Sequence, residues 1–188
     1  MLSGAGIVRI GMVSHSMNFA KHYGAVMKSL MSHGLLLGSY DAAGKANVMT
    51  IGWGAIGSIW GEPVWIVLVR PSRYTYRCIE HSGCFTVNVP TEAMGMACVS
   101  AGSKSGAKVD KFQAANLTSE PSASVLAPRV VECPLVYECH VIHSNDVLPG
   151  KLPAELSGLY VDDVPHRVYY GKIVAVHETP DAAKLLAE

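Results

Sequence analysis

Charge of either sign is scarce in this chain, and neither sign is in excess. Its 188 residues hold 15 lysines and arginines against 15 aspartates and glutamates, and charged residues make up 16%. A chain without a net field has no electrostatic footprint for nucleic acid or an anionic membrane, so any anion must be met by groups placed beside it. No apolar run reaches the length of a bilayer span. The opening MLSGAGIVRIGMVSHS has Arg9 as its one basic residue and lacks the order of a signal peptide. Cysteine is present as an odd set of five with no CxxC pair, which suits free thiols in a reducing cytoplasm and leaves no close-spaced dithiol. Walker, GxSxG, HExxH and EF-hand patterns are missing, and the GAG at 4–6 follows no strand, so it is not a dinucleotide fingerprint.

Apolar residues make up 49%, enough to build a core in one domain. Phe19, Tyr23, Val26, Met27 and Leu30 recur at helical spacing, which predicts a helix over 18–31 behind a capping Asn18 and ahead of Gly34. Strand patterns follow. GLLLGSY (34–40), the turn DAAGK and residues 46–57 read as a hairpin. PVWIVLV (63–69) reads as a buried strand, and CFTVNVP (84–90), PLVYECHVIH (134–143) and HRVYYGKIVAVH (166–177) alternate. Short helices are expected over Ser72–Glu80 after Pro71, over Glu92–Ser100 behind Thr91, and as a turn within 107–115. Residues 144–165, with three prolines and two glycines, read as a long excursion between the last two strands. Strands without regular helix alternation predict a mainly β fold, an antiparallel barrel with peripheral helices. The expected organisation is an N-terminal extension over 1–17 and a single domain over 18–188.

Three segments carry candidate chemistry. In RPSRYTY (70–76) a strand ends, Arg70 and Pro71 follow, and a helix opens. Free N–H groups in its first turn, the hydroxyls of Ser72 and Thr75, and Arg70 and Arg73 make a seat for phosphate. The same residues equally suit a capped surface helix with solvated arginines. AGSKSGAKVDKF (101–112) offers glycines, serines and lysines to an anion, and equally suits a solvated linker. NVMTIGWG (47–54) sets two glycines and small polar residues beside Met49 and Trp53, a pattern of a bulged strand or of backbone approached closely by a flat ligand. Cys133, Cys139 and His143 would share one face of a strand with His140 on the other, and their spacing matches no zinc pattern, so no metal is expected.

GSYDAAGKANVMTIGW, RPSRYTY, CFTVNVP, KVDKF and HRVYYGKIVAV stand in the order found in FMN-binding split barrels, and the chain resembles the flavin reductase-like family, its flavoredoxin branch above all. The resemblance runs from about residue 25 to 180. It implies a split β-barrel homodimer with FMN near the subunit interface. It places Asn47, Val48, Met49 and Thr50 along the flavin ring with Trp53 close by. It gives phosphate and ribityl contacts to Arg70, Ser72, Tyr74 and Thr75, a flavin contact to Asn88, and a cation to Lys111. Ser103 and Ser105 belong to a loop closing over the cofactor, and His166 corresponds to a histidine near the flavin. Residues 144–165 and the first 17 depart from the pattern.

In such a protein the flavin carries the redox chemistry and no side chain need act as nucleophile. The expected function is electron transfer, either as an NAD(P)H-dependent flavin reductase or as a flavoredoxin-like carrier fed by a redox protein. An FMN-binding or sensing protein without turnover is the alternative.

Overall fold

The run Leu35–Leu37 is apolar at three successive positions because both of its faces are covered. Leu35 and Leu37 join one buried cluster with Trp65, Phe85, Tyr137 and Tyr169, whereas Leu36 turns to a second cluster with Val48, Val136, Cys98, Ala101 and Phe112. A strand with a single buried face would alternate instead. Full burial of each such leucine stabilises by about 1.5–3 kcal/mol.

A computed structural model describes residues 18–187; the extension expected at 1–17 lies outside them. Among the described residues there are nine strands: β1 (Leu35–Tyr40), β2 (Ala46–Ile51), β3 (Gly54–Ile59), β4 (Glu62–Val69), β5 (Cys84–Val89), β6 (Ser119–Pro121), β7 (Pro128–Val130), β8 (Leu135–Asp146) and β9 (Arg167–Glu178). Seven of them form one sheet in the order β2-β1-β5-β8-β9-β4-β3, antiparallel at every step, and β6 pairs with β7 apart from it. Six helices lie around it: α1 (Tyr23–Ser32), α2 (Tyr74–Ser82), α3 (Gly95–Ser103), α4 (Lys111–Ala114), α5 (Ala154–Ser157) and α6 (Ala182–Leu185).

The expected single strand over 46–57 is in fact two. Its halves, β2 and β3, occupy opposite edges of the seven-stranded sheet, yet only Gly52 and Trp53 separate them. Two residues span less than about 8 Å. The edges must therefore approach each other, and the sheet rolls into a barrel that stays open at that seam. The seam is where a flat molecule can reach backbone.

Other boundaries moved for local reasons. α1 starts at Tyr23 behind His22, not at Asn18, and ends where Gly34, at φ +84°, bonds back to Ser29 O at 2.9 Å. α2 starts at Tyr74 with Arg73 at its cap, so Ser72 lies in the preceding turn, where Arg73 N reaches Arg70 O at 2.9 Å. β8 runs on to Asp146 because β9 pairs along its whole length, Arg167 opposite Asp146, with two register shifts. The excursion is accordingly 147–166. No helix among the described residues is long and apolar enough to cross a membrane.

Candidate functional site

The barrel seam opens into a cavity of about 450 Å³, within the ~300–1,000 Å³ common for small-molecule sites. One wall is the end of β2 with the Gly52–Trp53 crossing. A second is the Arg70–Thr75 turn that leads into α2, and a third is the end of α3 with the loop to Gly106. Lys111 at the start of α4 and His166 ahead of β9 complete it.

The walls are tied to one another. Tyr74 Oη donates to Asp41 Oδ2 at 2.8 Å, and Asp41 Oδ1 accepts from Ala43 N and Lys45 N, so the β1–β2 turn fixes the first turn of α2. These bonds, the Lys45 amide foremost, hold the Asp41 carboxyl below its usual range. Asn47 Nδ2 donates to Thr75 Oγ1 at 2.9 Å, and Thr50 Oγ1 donates to Cys98 O at 2.5 Å, joining β2 to α2 and to α3. A Cβ added at Gly106 would overlap Asn47 Oδ1, which has no hydrogen-bond partner among the described residues. Glycine at 106 is thus what lets the third wall lie against β2.

One end of the cavity is cationic. No side chain caps the first turn of α2, which leaves its N–H groups and dipole open, and its cap Arg73 lines the cavity together with Lys111. Lys111 is only 5% exposed and makes no ion pair among the described residues. Burial, and then repulsion from Arg73, push its ammonium down to about 8. A buried ammonium without a counter-ion costs several kcal/mol, and a phosphate beside it would offset that cost.

The other end is aromatic. His166 packs on Trp53 with ring centroids 5.0 Å apart and lies 3.0 Å, through Nδ1, from Tyr160 Oη. Burial, and then nearby Arg70, push His166 down to about 4. Arg70 lines the cavity but is held from behind by the 147–166 excursion, through Leu159 O at 2.9 Å and Asp163 at 3.4 Å.

The flavin reductase like domain family matches residues 27–187. The chain belongs to the flavin reductase-like family. It is similar to the flavoredoxin of Desulfovibrio vulgaris (Miyazaki F), with 30% identity, 78% of this chain and 69% of that one covered, and a TM-score of 0.64. It is similar also to the flavoredoxin of Methanosarcina acetivorans, with 26% identity, 79% and 69% covered, and a TM-score of 0.62. An uncharacterized protein of Archaeoglobus fulgidus is 36% identical over 98 residues, 52% of this chain and 55% of that protein, so the match spans about half of the relative.

Eleven residues expected from the flavin reductase-like pattern line the cavity: Met49, Thr50, Trp53, Arg70, Ser72, Tyr74, Thr75, Ser103, Ser105, Lys111 and His166. Three do not. Val48 points to the outer cluster and is fully buried. Asn88 is fully buried in β5, where Nδ2 donates to Leu36 O and Thr86 Oγ1 while Oδ1 accepts from Val130 N; its amide is consumed in clamping β7 to the sheet. Asn47 sits beneath Gly106 behind the wall. For β2 the reason is position along the strand: its Asn47–Val48 half is covered by the helices packed on it, and its Met49–Thr50 half reaches the seam. Reading the sequence missed Ile51 and Leu68; Gly52, Gly102, Lys104 and Gly106 lie in the two segments it singled out without being picked as contacts, and Arg73 entered as charge in the phosphate seat. The two glycines flanking Lys104 were the available signal, since small residues mark close approach. Tyr160 and Asp163 had none, because the excursion lacks periodicity.

Proposed function

We propose that the cavity holds FMN and that the protein is an electron-transfer flavoprotein. The observation that carries this reading is Lys111, a buried cation with no counter-ion, beside the uncapped start of α2, in a flavin reductase-like barrel with a seam wide enough for a flat ring. Lys111, Arg73, Ser72 and the N–H groups at Tyr74 and Thr75 would hold the phosphate. Met49, Thr50 and the Gly52–Trp53 crossing would meet the ring system. FMN, when bound, supplies the two-electron chemistry; the chain orients it, excludes water and offers hydrogen bonds.

Within that reading the protein is an NAD(P)H-dependent flavin reductase more than a carrier, because the Trp53 and His166 rings, backed by Tyr160, line the cavity and suit a planar donor. Purified protein should be yellow and release FMN on denaturation. Anaerobic mixing with NADH or NADPH should bleach the flavin's blue absorption. A colourless protein that takes up no added FMN would remove the reading, and FMN binding without bleaching would favour a carrier or a sensor. Pairing of two copies belongs to the same proposal, supported by the likeness to the flavin reductase-like family. Light scattering of the flavin-loaded protein should give twice 20.0 kDa.

A further inference from the structure

Residues 149–163, between β8 and β9, rest behind the cavity wall on side chains that line it, Arg70 foremost. Arg70 Nη2 donates to Leu159 O at 2.9 Å, Nη1 lies 3.4 Å from Asp163 Oδ2, and the guanidinium stands 5.1 Å from the centre of the Tyr160 ring. Asp163 also accepts from Ser72 Oγ at 3.2 Å and lies 3.7 Å from Arg73 Nη2. A guanidinium engaged at once by a carbonyl, a carboxylate and a ring of one segment is a pin for that segment.

The pin determines where Tyr160 stands. Its hydroxyl is 3.0 Å from Nδ1 of His166, and the two rings meet at 80°. The other imidazole nitrogen, Nε2, has no hydrogen-bond partner among the described residues, while the ring lines the cavity against Trp53. Burial, and then Arg70 beside it, favour a neutral ring. In a phenol–imidazole pair the phenol is the better donor and the imidazole nitrogen the better acceptor, so Tyr160 donates and the imidazole proton stays on Nε2.

We propose that Tyr160 is a positioning residue: delivered by a strap pinned on Arg70, it fixes His166 as the Nε2–H tautomer, so that the cavity wall presents an N–H donor to a carbonyl or carboxamide oxygen on a planar second reactant, the nicotinamide ring. The identity of that reactant rests on the flavin reading. The strap and the tautomer are properties of the protein without any ligand.

The test separates the two. Imidazole ¹⁵N shifts of the ligand-free protein at neutral pH should show His166 with Nδ1 unprotonated and Nε2 protonated. Tyr160→Phe should replace that single tautomer with an exchange average and leave the strap as protected from protease as before. Asp163→Asn should give the same averaging and several-fold faster cleavage within 149–163. In the flavin-loaded protein, Tyr160→Phe should raise the KM for the reduced nicotinamide about threefold or more, the loss of a neutral hydrogen bond, with the FMN Kd and kcat nearly unmoved. Wild-type His166 protonated on Nδ1, or an unchanged tautomer in Tyr160→Phe, overturns the positioning role. A changed tautomer with an unchanged KM overturns the donor role. Failure to take up FMN counts against the cofactor, and the ¹⁵N result then decides the strap alone.

Discussion

Lys111 and Arg70 are both cations on the wall of one cavity, and they are kept there in opposite ways. Arg70 is held by a carbonyl, a carboxylate and an aromatic ring. Lys111 is more deeply enclosed and has no ion-pair partner among the described residues. A partnered charge organises the chain around it, whereas an unpartnered one raises the free energy of the empty site and lowers it again when an anion arrives. Ligand binding should be concentrated at the end where the protein leaves a cation unpaired, and shape at the end where the cation is paired.

The largest expected effect comes from removing that unpaired charge. Lys111→Met should weaken FMN by about tenfold or more, since a charge-assisted bond to phosphate is worth about 1.5–3 kcal/mol. Riboflavin, without the phosphate, should lose much less. The ligand-free variant should also melt higher than wild type, because a desolvated ammonium is gone. Arg70→Met should instead lower the melting temperature and spare more of the FMN affinity. Fluorescence titration and thermal unfolding of both variants check this, and equal FMN losses from the two would erase the distinction.

Alkaline titration sharpens the same contrast with a smaller effect. The folded, ligand-free protein releases the Lys111 proton near 8, while the unfolded chain keeps it to 10.5. The unfolded state therefore binds more protons between those values, and this group makes stability rise with pH there. FMN affinity should move the other way, falling by up to about tenfold per unit above pH 8, because phosphate requires the charged form. The difference between wild type and Lys111→Met isolates the group from other titrations. His166 acts on the acid side: pushed from 6.5 down to about 4, it takes stability away as pH falls through that window.

Gly106→Ala should weaken FMN and riboflavin alike, by several-fold. The new methyl meets Tyr74 Cδ1 at 2.9 Å and overlaps Asn47 Oδ1, and Asn47 cannot yield because Thr75 holds it. The loop must lift, at an overpacking cost of about 1–3 kcal/mol. A loss confined to FMN would mean that the loop serves the phosphate alone.

Much of this was legible in the residues. The Leu35–Leu37 run, the alternation of β5 and the spacing around Pro71 located the barrel and the turn ahead of α2 that lines the cavity, because burial and turn chemistry act locally. The break at Gly52–Trp53 was not legible: closure of the sheet is a property of strand order, which no window of sequence contains. Asn88 was misplaced for a related reason, since its amide partners, Leu36 O and Val130 N, come from distant strands. The roles of Tyr160 and Asp163 emerge only once the excursion is seen resting on Arg70.

The smallest effect on electron transfer should come from the cysteines, which are as buried as Lys111 but carry no charge. All five are unpaired and buried. A redox thiol works as the thiolate, and burial opposes that form. It pushes Cys98 up to about 11 and Cys133 and Cys139 well above their ordinary value. Cys84 donates to Leu126 O and Cys78 to Tyr74 O, weak bonds that serve packing. Cys78 is the informative position, because it lies on α2, one turn behind the cavity-lining Tyr74. Cys78→Ala should cost about 1 kcal/mol of stability through lost packing, a typical value for a single substitution. FMN affinity and the rate of flavin reduction should stay within about twofold of wild type, since less than 0.5 kcal/mol of the change reaches the site. Alkylating reagent at mildly alkaline pH should label the native protein slowly and the unfolded chain at once. Rapid labelling of the native state, or loss of electron transfer while FMN remains bound, would require a thiol relay and would show that burial here does not silence sulfur.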